Sequence, residues 1–262
     1  MSCYLLKAPG KLNIVTVVLA IFLVFLVGAL MQRVSGMGVG LLAGPVVSLL
    51  LGPIEGILVV NLVAAVNGAM GAWSLRRDIE WHKVALIGPV MIFGAITGTW
   101  FIAFVSTGWL QAIVGALLLV ALLTMTVGKN YVPVARGKAP ALGAGLFAGF
   151  MNTLAGVAGP SITVYALASR WPQRPYAATL QPLFAIAGLL SFIVKSLGGM
   201  GDLSGVPPAV WPAGIVACII GIFFGTHISR YVNREKARNI AITIASLGAV
   251  TVFVRGVFEL IR

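Results

Sequence analysis

Charged side chains are scarce in this sequence. Only 9% of its 262 residues are Asp, Glu, Lys or Arg, against roughly 25% in a soluble globular domain, while 60% are hydrophobic and the mean hydropathy is +1.05. So few charges cannot cover a water-soluble surface, and the sequence therefore predicts an integral membrane protein. Apolar runs of roughly 20 residues favour helices that cross the bilayer over the alternating strands of a barrel. The expected fold class is all-α.

Cysteine and histidine are also rare. Cys3 and Cys218 have no paired spacing, so neither a disulfide framework nor a metal site is indicated. His82 and His227 are the two histidines, and neither lies in a motif with ligand spacing. Because no nucleophile with its base and no phosphate-binding loop is visible, we expect no enzyme activity, no cofactor and no ATP-driven step.

Acidic residues number six, against 18 Lys and Arg. The basic residues lie between apolar runs rather than in one stripe, which indicates orientation in a lipid bilayer and not nucleic-acid binding. Glu55 follows Pro53 at a helix start, where a carboxylate complements the helix dipole. Lys195 lies near the end of an apolar run, so we expect its side chain to snorkel to the membrane surface.

Two glycine-rich segments, 32–40 and 152–160, interrupt the apolar runs. An unpaired backbone N–H or C=O in hydrocarbon costs several kcal/mol, so irregular backbone survives there where protein, water or a ligand supplies partners. The neighbouring apolar segments 41–51, 140–152 and 160–169 are too short to span a bilayer at about 1.5 Å per residue. Half-helices that meet at breaks are typical of transporter binding sites.

The two halves of the chain align with each other. A shift of 127 residues places Gly94–Thr99 on Gly221–Thr226, and both segments have the spacing of closely packed membrane helices. We therefore predict a first repeat at 1–128, a cytoplasmic linker at 129–139 and a second repeat at 140–262. A shift of 120 residues aligns Gln32 with Asn152, Gly36 with Gly156, Gly40 with Pro160, Asn61 with Gln181, and Gly68 with Gly188.

Charge placement bears on the topology. Each broken segment either crosses the membrane or returns as a re-entrant hairpin, and the hairpin arrangement collects slightly more Lys and Arg on one side. Each repeat is then a hairpin followed by three transmembrane helices, and the odd number of crossings inverts the second repeat. The loops 76–83, 129–138, 170–174 and 230–238 would be cytoplasmic.

Polar residues and glycines at the breaks are the candidate substrate-binding residues. Helix N-termini present N–H groups and partial positive charge to an anion, and neutral side chains add hydrogen bonds. The alternatives are that the glycines only allow close packing and that the polar groups only satisfy the freed backbone. Asn67 is a weaker candidate. The set comprises Gln32, Arg33, Ser35, Gly36, Gly38, Gly40, Asn61, Asn152, Thr153, Gly156, Gly159, Ser161 and Gln181.

The segments Ser35–Pro45 and Gly156–Ser161 resemble the paired glycine-rich motifs of the TauE/SafE sulfite exporter family. The resemblance implies a multi-pass permease of the bacterial inner membrane that moves small sulfur-containing anions such as sulfite, sulfoacetate or related organosulfonates. Ala158 and Pro160 stand where a fuller glycine run is expected.

Other functions remain open at this point. The same half-helices could line an anion channel, and a purely structural membrane protein would bind no substrate. Without an ATP-binding segment, active transport would depend on an ion gradient or an external partner. Homo-oligomerisation also stays open.

Overall fold

A computed structural model describes residues 13–36, 39–127, 133–135, 137–201, 203–228, 231 and 234–261. This part of the chain is helical, with short 3-10 turns at Arg76–Asp78 and Leu203–Gly205, and it contains no strand. The helices are α1 (Ile14–Ser35), α2 (Val39–Leu51), α3 (Pro53–Leu75), α4 (Trp81–Ile87), α5 (Met91–Phe104), α6 (Thr107–Val127), α7 (Ala139–Ala155), α8 (Gly159–Ala168), α9 (Gln173–Leu197), α10 (Val210–Ile228) and α11 (Arg234–Ile261).

The predicted all-α membrane class is confirmed. In the described residues, six helical stretches are long and apolar enough to cross a bilayer. By contrast, α2 has 13 residues and α8 has 10, so at about 1.5 Å per residue neither reaches across a core of about 30 Å. The six stretches are Ile14–Val34, Pro53–Asp78, Trp81–Phe104, Gln173–Leu197, Val210–Ile228 and Asn239–Ile261.

Two helices end in the same way at a left-handed glycine. Helix α1 ends at Gly36 with φ 80°, and the Gly36 N–H donates to the Gln32 carbonyl. Helix α7 ends at Gly156 with φ 71°, and the Gly156 N–H donates to the Asn152 carbonyl. Glycine adopts this backbone conformation without the steric penalty that a Cβ brings. The chain then resumes as the short helices α2 and α8.

Helix packing in the two halves follows one pattern. Helix α1 packs along α10, where Gly221 and Gly225 allow close approach, and α7 packs along α5, where Gly94 and Gly98 do the same. The predicted close packing at these four glycines is confirmed. Small residues permit it because a Cβ at Gly94 would overlap the backbone of the facing helix.

The central pair of helices, α3 and α9, is antiparallel. Gly68 of α3 faces Ala185 of α9, whereas Asn61, earlier in α3, faces Gly188, later in α9. Helices α6 and α11 also pack against each other and run antiparallel. By contrast, α1 and α10 run parallel, as do α5 and α7, since contacting residues advance together along each of these pairs.

The apolar segment predicted at 84–104 differs from expectation in one detail. A turn at 88–90 divides it into α4 and α5, since Pro89 has no N–H for a continuous helix. The N–H groups of Met91 and Ile92 bond to the carbonyls of Gly88 and Pro89 instead.

Candidate functional site

The two breaks meet at the centre of the protein. A Cβ at Gly40 of α2 would overlap the carbonyl oxygen of Gly156, and one at Gly44 would lie 3.0 Å from the Ala155 carbonyl oxygen. Between the breaks lies a cavity of about 20 Å³, which we term the central cavity. This space holds about one water molecule. Its lining comprises Gln32, Val39, Gly40, Leu41, Ala64, Asn152, Gly156, Val157, Ala158, Gly159 and Phe184.

A larger cavity of about 1,080 Å³ approaches the centre from one face of the protein, and we term it the vestibule. The exposed side chain of Arg174 marks where it reaches the surface, and Arg33 lies along its wall. Gln32 lines both the vestibule and the central cavity, so its side chain stands between them. The other polar or charged residues of the vestibule are Asn67, Asp78, Gln173, Gln181 and Glu235.

Gln32 and Gln181 form a buried amide pair at the inner end of the vestibule. The Gln32 Nε2 donates to Gln181 Oε1 at 2.8 Å, while Gln32 Oε1 accepts a hydrogen bond from the Val39 N–H. The second bond satisfies one of the free N–H groups at the start of α2. Gln32 therefore joins the first break to α9 of the other half.

Asn152 and Asn61 form the corresponding pair at the second break. The Asn152 Nδ2 donates to Asn61 Oδ1 at 3.2 Å and to Ser191 Oγ at 3.0 Å. Ser191 also shares a 2.8 Å hydrogen bond with the Thr153 hydroxyl. The shift of 120 residues that aligns Gln32 with Asn152 also aligns Asn61 with Gln181, so aligned residues make equivalent contacts.

Arg33 is half-buried in the vestibule wall. Its Nε donates to Thr226 Oγ1 at 2.9 Å, and its Nη2 donates to Ser74 Oγ at 3.0 Å. Arg33 takes no part in the ion pairs that Glu80 and Asp78 form within the described ranges. Two neutral hydroxyl groups thus hold a guanidinium whose charge faces the vestibule.

Other predicted residues take different positions. Gly36 lines the vestibule. Thr153 is buried beside the central cavity, where its hydroxyl also donates to the Gly149 carbonyl. Ser161 lines neither cavity, and its hydroxyl contacts the Met151 sulfur at 3.2 Å. The side chain of Ser35 and all of Gly38 lie outside the described residues.

The family model for the sulfite exporter TauE/SafE matches residues 20–252. The chain belongs to the sulfite exporter TauE/SafE family. Membership implies a membrane transporter of sulfur-containing anions, and the match includes both breaks and all the cavity-lining residues named above. Neither the curated proteins nor the solved structures contain a match to this chain.

Lys195 corrects one sequence prediction for this TauE/SafE protein. We expected its side chain to snorkel to the membrane surface, but it is 0% exposed. Its Nζ donates to the Thr153 carbonyl oxygen at 3.1 Å, which holds the ammonium beside the end of α7. The prediction was wrong because it used distance from the helix end and ignored the direction of the side chain.

Helical periodicity could have indicated this position. Lys195 lies 14 residues after Gln181 and four after Ser191, so all three project from about the same side of α9. That side faces α3 and the breaks. The sequence analysis did not single out Ser191, because a serine in a transmembrane helix is not by itself a signal of a site.

Asn67 occupies a more prominent place than expected from its sequence context. It lines the vestibule, and its Oδ1 is buried without a hydrogen-bond partner in the part of the chain that the structure describes. A buried, unpaired amide oxygen costs about 1–3 kcal/mol, so the group is available to a ligand or water.

Proposed function

We propose that this protein is a secondary transporter of a small sulfur-containing anion, such as sulfite, sulfoacetate or a related organosulfonate. The anion binds near the bilayer midplane between the two glycine-rich breaks. The observation that carries the proposal is that Gln32 and Asn152, one from each break, line the same central cavity.

Arg33 supplies the attraction for the anion. Its guanidinium keeps its charge at physiological pH and lies in a vestibule wide enough for an organosulfonate. Beyond Arg33, the amide N–H groups of Gln32 and Gln181 donate to sulfonate or sulfite oxygens, and the N-termini of α2 and α8 add partial positive charge. We assign the remaining candidate residues at the breaks, other than Ser161, to shaping this site.

The central cavity is smaller than any of the proposed substrates, so the anion must displace side chains to reach it. The hydrogen bond between Gln32 and Gln181 is the contact that separates the vestibule from the central cavity. We propose that the anion replaces this contact with its own hydrogen bonds. The new hydrogen bonds to the anion offset much of the free energy lost when the bond between Gln32 and Gln181 breaks, because the number of hydrogen bonds is kept.

We propose further that the two halves are inverted repeats with re-entrant hairpins, divided at 1–128, 129–139 and 140–262. Three features support this arrangement. Helices α3 and α9 align in sequence yet run antiparallel, α6 and α11 do the same, and the packing of α1 on α10 has its equivalent in α7 on α5. Inverted repeats allow one site to face either membrane side in turn.

The vestibule opens at the loops rich in Lys and Arg, which the positive-inside rule assigns to the cytoplasm. The conformation described is then open to the cytoplasm, and the membrane is the bacterial inner membrane. A carrier is favoured over an anion channel because the amide pairs separate the vestibule from the opposite face. A homo-oligomer is compatible with this mechanism, and each copy would contain its own site.

Binding is tested first with purified protein in detergent. Sulfite, sulfate, thiosulfate, sulfoacetate and taurine are compared with chloride at equal ionic strength in a thermal-shift assay, because a ligand of the folded state raises its apparent stability. We expect at least one sulfur oxyanion to raise the melting temperature and chloride not to do so. No shift with any sulfur compound would contradict the proposed substrate class.

Transport is tested in proteoliposomes by counterflow of the anion identified in that assay. Gln32→Ala and Asn152→Ala should each lower the flux while the protein still inserts, since both remove hydrogen-bond donors from the central cavity. Ser161→Ala is the matched control, because Ser161 lines neither cavity. Wild-type flux in both amide variants would remove these residues from the site, and flux without trans-stimulation would favour the channel.

A further inference from the structure

Lys195 is a buried cation with an unusual environment. Its side chain is 0% exposed, and the hydrogen bond recorded for its ammonium is accepted by a backbone carbonyl, that of Thr153. Burying an ammonium costs several kcal/mol, and one neutral acceptor does not offset this. Glu55, half-buried at the start of α3, is the acid whose charge acts on it. A residue this costly in a transmembrane helix indicates a function.

The position of Lys195 corresponds to that of Arg33 on the other face. The 120-residue shift aligns Arg33 with Thr153, the residue whose carbonyl binds Lys195. The 127-residue shift aligns Thr226, which binds Arg33, with Thr99. Thr99 lies beside Gly198, three residues after Lys195. Each half therefore has one cation next to the end of its broken helix. In the first half this is Arg33 of α1, and in the second half it is Lys195 of α9.

The residues of α9 that line the vestibule lie between Gln173 and Gln181, and Lys195 lies 14 residues beyond Gln181 along the helix. Arg33 lines the vestibule, together with Arg174 at the start of α9. Lys195 lies 21 residues after Arg174, which is about 30 Å along the helix. Six residues after Lys195, Gly201 packs on Ile54 and Leu58 of α3, and Lys195 itself is 0% exposed. The structure thus holds an accessible cation on the open side and an enclosed one on the closed side.

Two orphan polar groups accompany Lys195. The Oγ1 of Thr99 and the Nδ2 of Asn61 are buried and have no hydrogen-bond partner in the residues that the structure describes. Asn61 is bonded through its oxygen to Asn152, which lines the central cavity. A path of polar groups therefore leads from the central cavity through Asn152 and Ser191 to Thr153 and Lys195.

We propose that Lys195 is a second anion-binding residue, which contacts the transported oxyanion when the site faces the side opposite the vestibule. In the conformation described, the Thr153 carbonyl takes the place of an anion oxygen at its ammonium. Thr99 and Asn61 add neutral donors on this face. The inference rests on the proposed anion transport and assigns to the closed face the role that Arg33 has on the open face.

Accessibility provides a test that needs no transported substrate. Lys195→Cys and Arg33→Cys are made in a Cys3→Ser, Cys218→Ala background, and an anionic, membrane-impermeant methanethiosulfonate is applied from each side of oriented vesicles. We expect Arg33→Cys to react from the vestibule side and Lys195→Cys from the opposite side. If Lys195→Cys reacts from neither side, or only from the vestibule side, while Arg33→Cys reacts, the proposal is wrong.

Transport kinetics provide a second test. Lys195→Met keeps the length of the side chain and removes the buried charge, so it should fold, and Lys195→Arg keeps the charge. With radiolabelled sulfite in oriented proteoliposomes, we expect Lys195→Met to raise the half-saturation concentration at least about tenfold from the Lys195 side and far less from the vestibule side. Arg33→Met should show the opposite asymmetry, and Lys195→Arg should restore part of the affinity.

The outcomes separate the two proposals. An equal effect of Lys195→Met from both sides would assign Lys195 a structural role at Thr153 and overturn the inference. An absence of sulfite flux in the wild-type protein would contradict sulfite transport itself, and the thiol-labelling result would still decide whether Lys195 becomes accessible on its own face.

Discussion

The two breaks share one backbone design but differ in the side chains that support it. At the first break, Gln32 bonds directly to Gln181 of α9, and Gly71 beside them leaves room, since a Cβ there would lie 2.5 Å from Gln181 Oε1. At the second break, the shorter Asn152 bonds both to Asn61 of α3 and to Ser191, which aligns with Gly71. The shorter amides therefore use an additional hydroxyl group, that of Ser191, whereas the longer amides use the space left by a glycine, Gly71.

The two cations beside the breaks, Arg33 and Lys195, also differ in their surroundings. Arg33 reaches hydroxyl groups of two other helices and stays half-exposed, whereas Lys195 is enclosed and donates to the backbone of α7. A guanidinium can bind an anion and keep its protein contacts because it has five donors. An ammonium has three, one of which goes to the Thr153 carbonyl, so Lys195 has fewer donors left for an anion. The two faces are therefore chemically unequal although their backbones match.

The largest expected effect comes from separating the two breaks. Gly40→Ala places a methyl group against the Gly156 carbonyl oxygen, where backbone and not a flexible side chain must move. We expect a loss of at least about 2 kcal/mol in the free energy of unfolding and no measurable transport. Thermal melting and counterflow measure both.

The matched control for Gly40→Ala is Gly143→Ala in α7. No atom lies within 4 Å of a Cβ at Gly143, so alanine should raise stability by roughly 0.5–1 kcal/mol through its helix propensity. Equal melting temperatures for the two variants would show that the breaks do not meet as described.

An intermediate effect is expected from giving the amide pair of the second break the longer side chain found in the pair of the first break. Asn61→Gln adds a methylene group at a site that is 0% exposed, and we expect it to cost about 1–3 kcal/mol. Adding Ser191→Gly should recover about 1 kcal/mol, because it recreates the space that Gly71 leaves beside Gln181.

A double-mutant cycle of Asn61→Gln and Ser191→Gly, followed by thermal or denaturant unfolding, measures this coupling. Because Ser191→Gly alone removes hydrogen bonds to Asn152 and Thr153, it should be destabilising by itself. Strict additivity of the two changes would mean that Ser191 does not determine which amide fits.

The smallest effect concerns a charge cluster on the vestibule face. Glu80 pairs with Lys83 at 2.8 Å, and the Lys83 ammonium lies 3.7 Å from the centre of the Trp171 ring. Partial burial acts to raise the pKa of Glu80, but Lys83, through its hydrogen bond and charge, together with Trp171 and His82 outweighs it, so the pKa lies below its usual value. The folded state thus favours the charged carboxylate.

Glu80→Gln should therefore lower stability at pH 7 by less than about 1 kcal/mol. A depressed carboxyl pKa contributes stability above the unfolded-state value of about 4.3, and this contribution is lost as the pH falls through the folded-state pKa. The melting temperatures of wild type and variant should differ at pH 7 and converge below about pH 4. A constant difference would assign the effect to packing instead.

Sequence patterns predicted much of this architecture. The membrane class, the short helices beside the breaks and the close packing at Gly94 and Gly221 follow from composition, segment length and glycine spacing. All four amides were among the candidate residues, but the alignment did not indicate which of them are in contact: Gln32 bonds to Gln181, and Asn152 bonds to Asn61.

The side-chain environment of individual residues was less accessible from sequence. Lys195 was assigned to the membrane surface because snorkelling is the usual fate of a lysine near a helix end, and only the packing of α9 against α3 and α7 shows that its side chain points inward. Gly71 and Ser191 carry no signal alone. Their importance depends on which amide each of them faces across the α3 and α9 contact.

The double role of Gln32 has a mechanical consequence. One amide group both secures the first N–H of α2 and blocks passage to the central cavity. A solute that displaces this side chain would also remove the hydrogen bond at the start of α2. Access to the central cavity and local loosening of α2 would therefore be coupled.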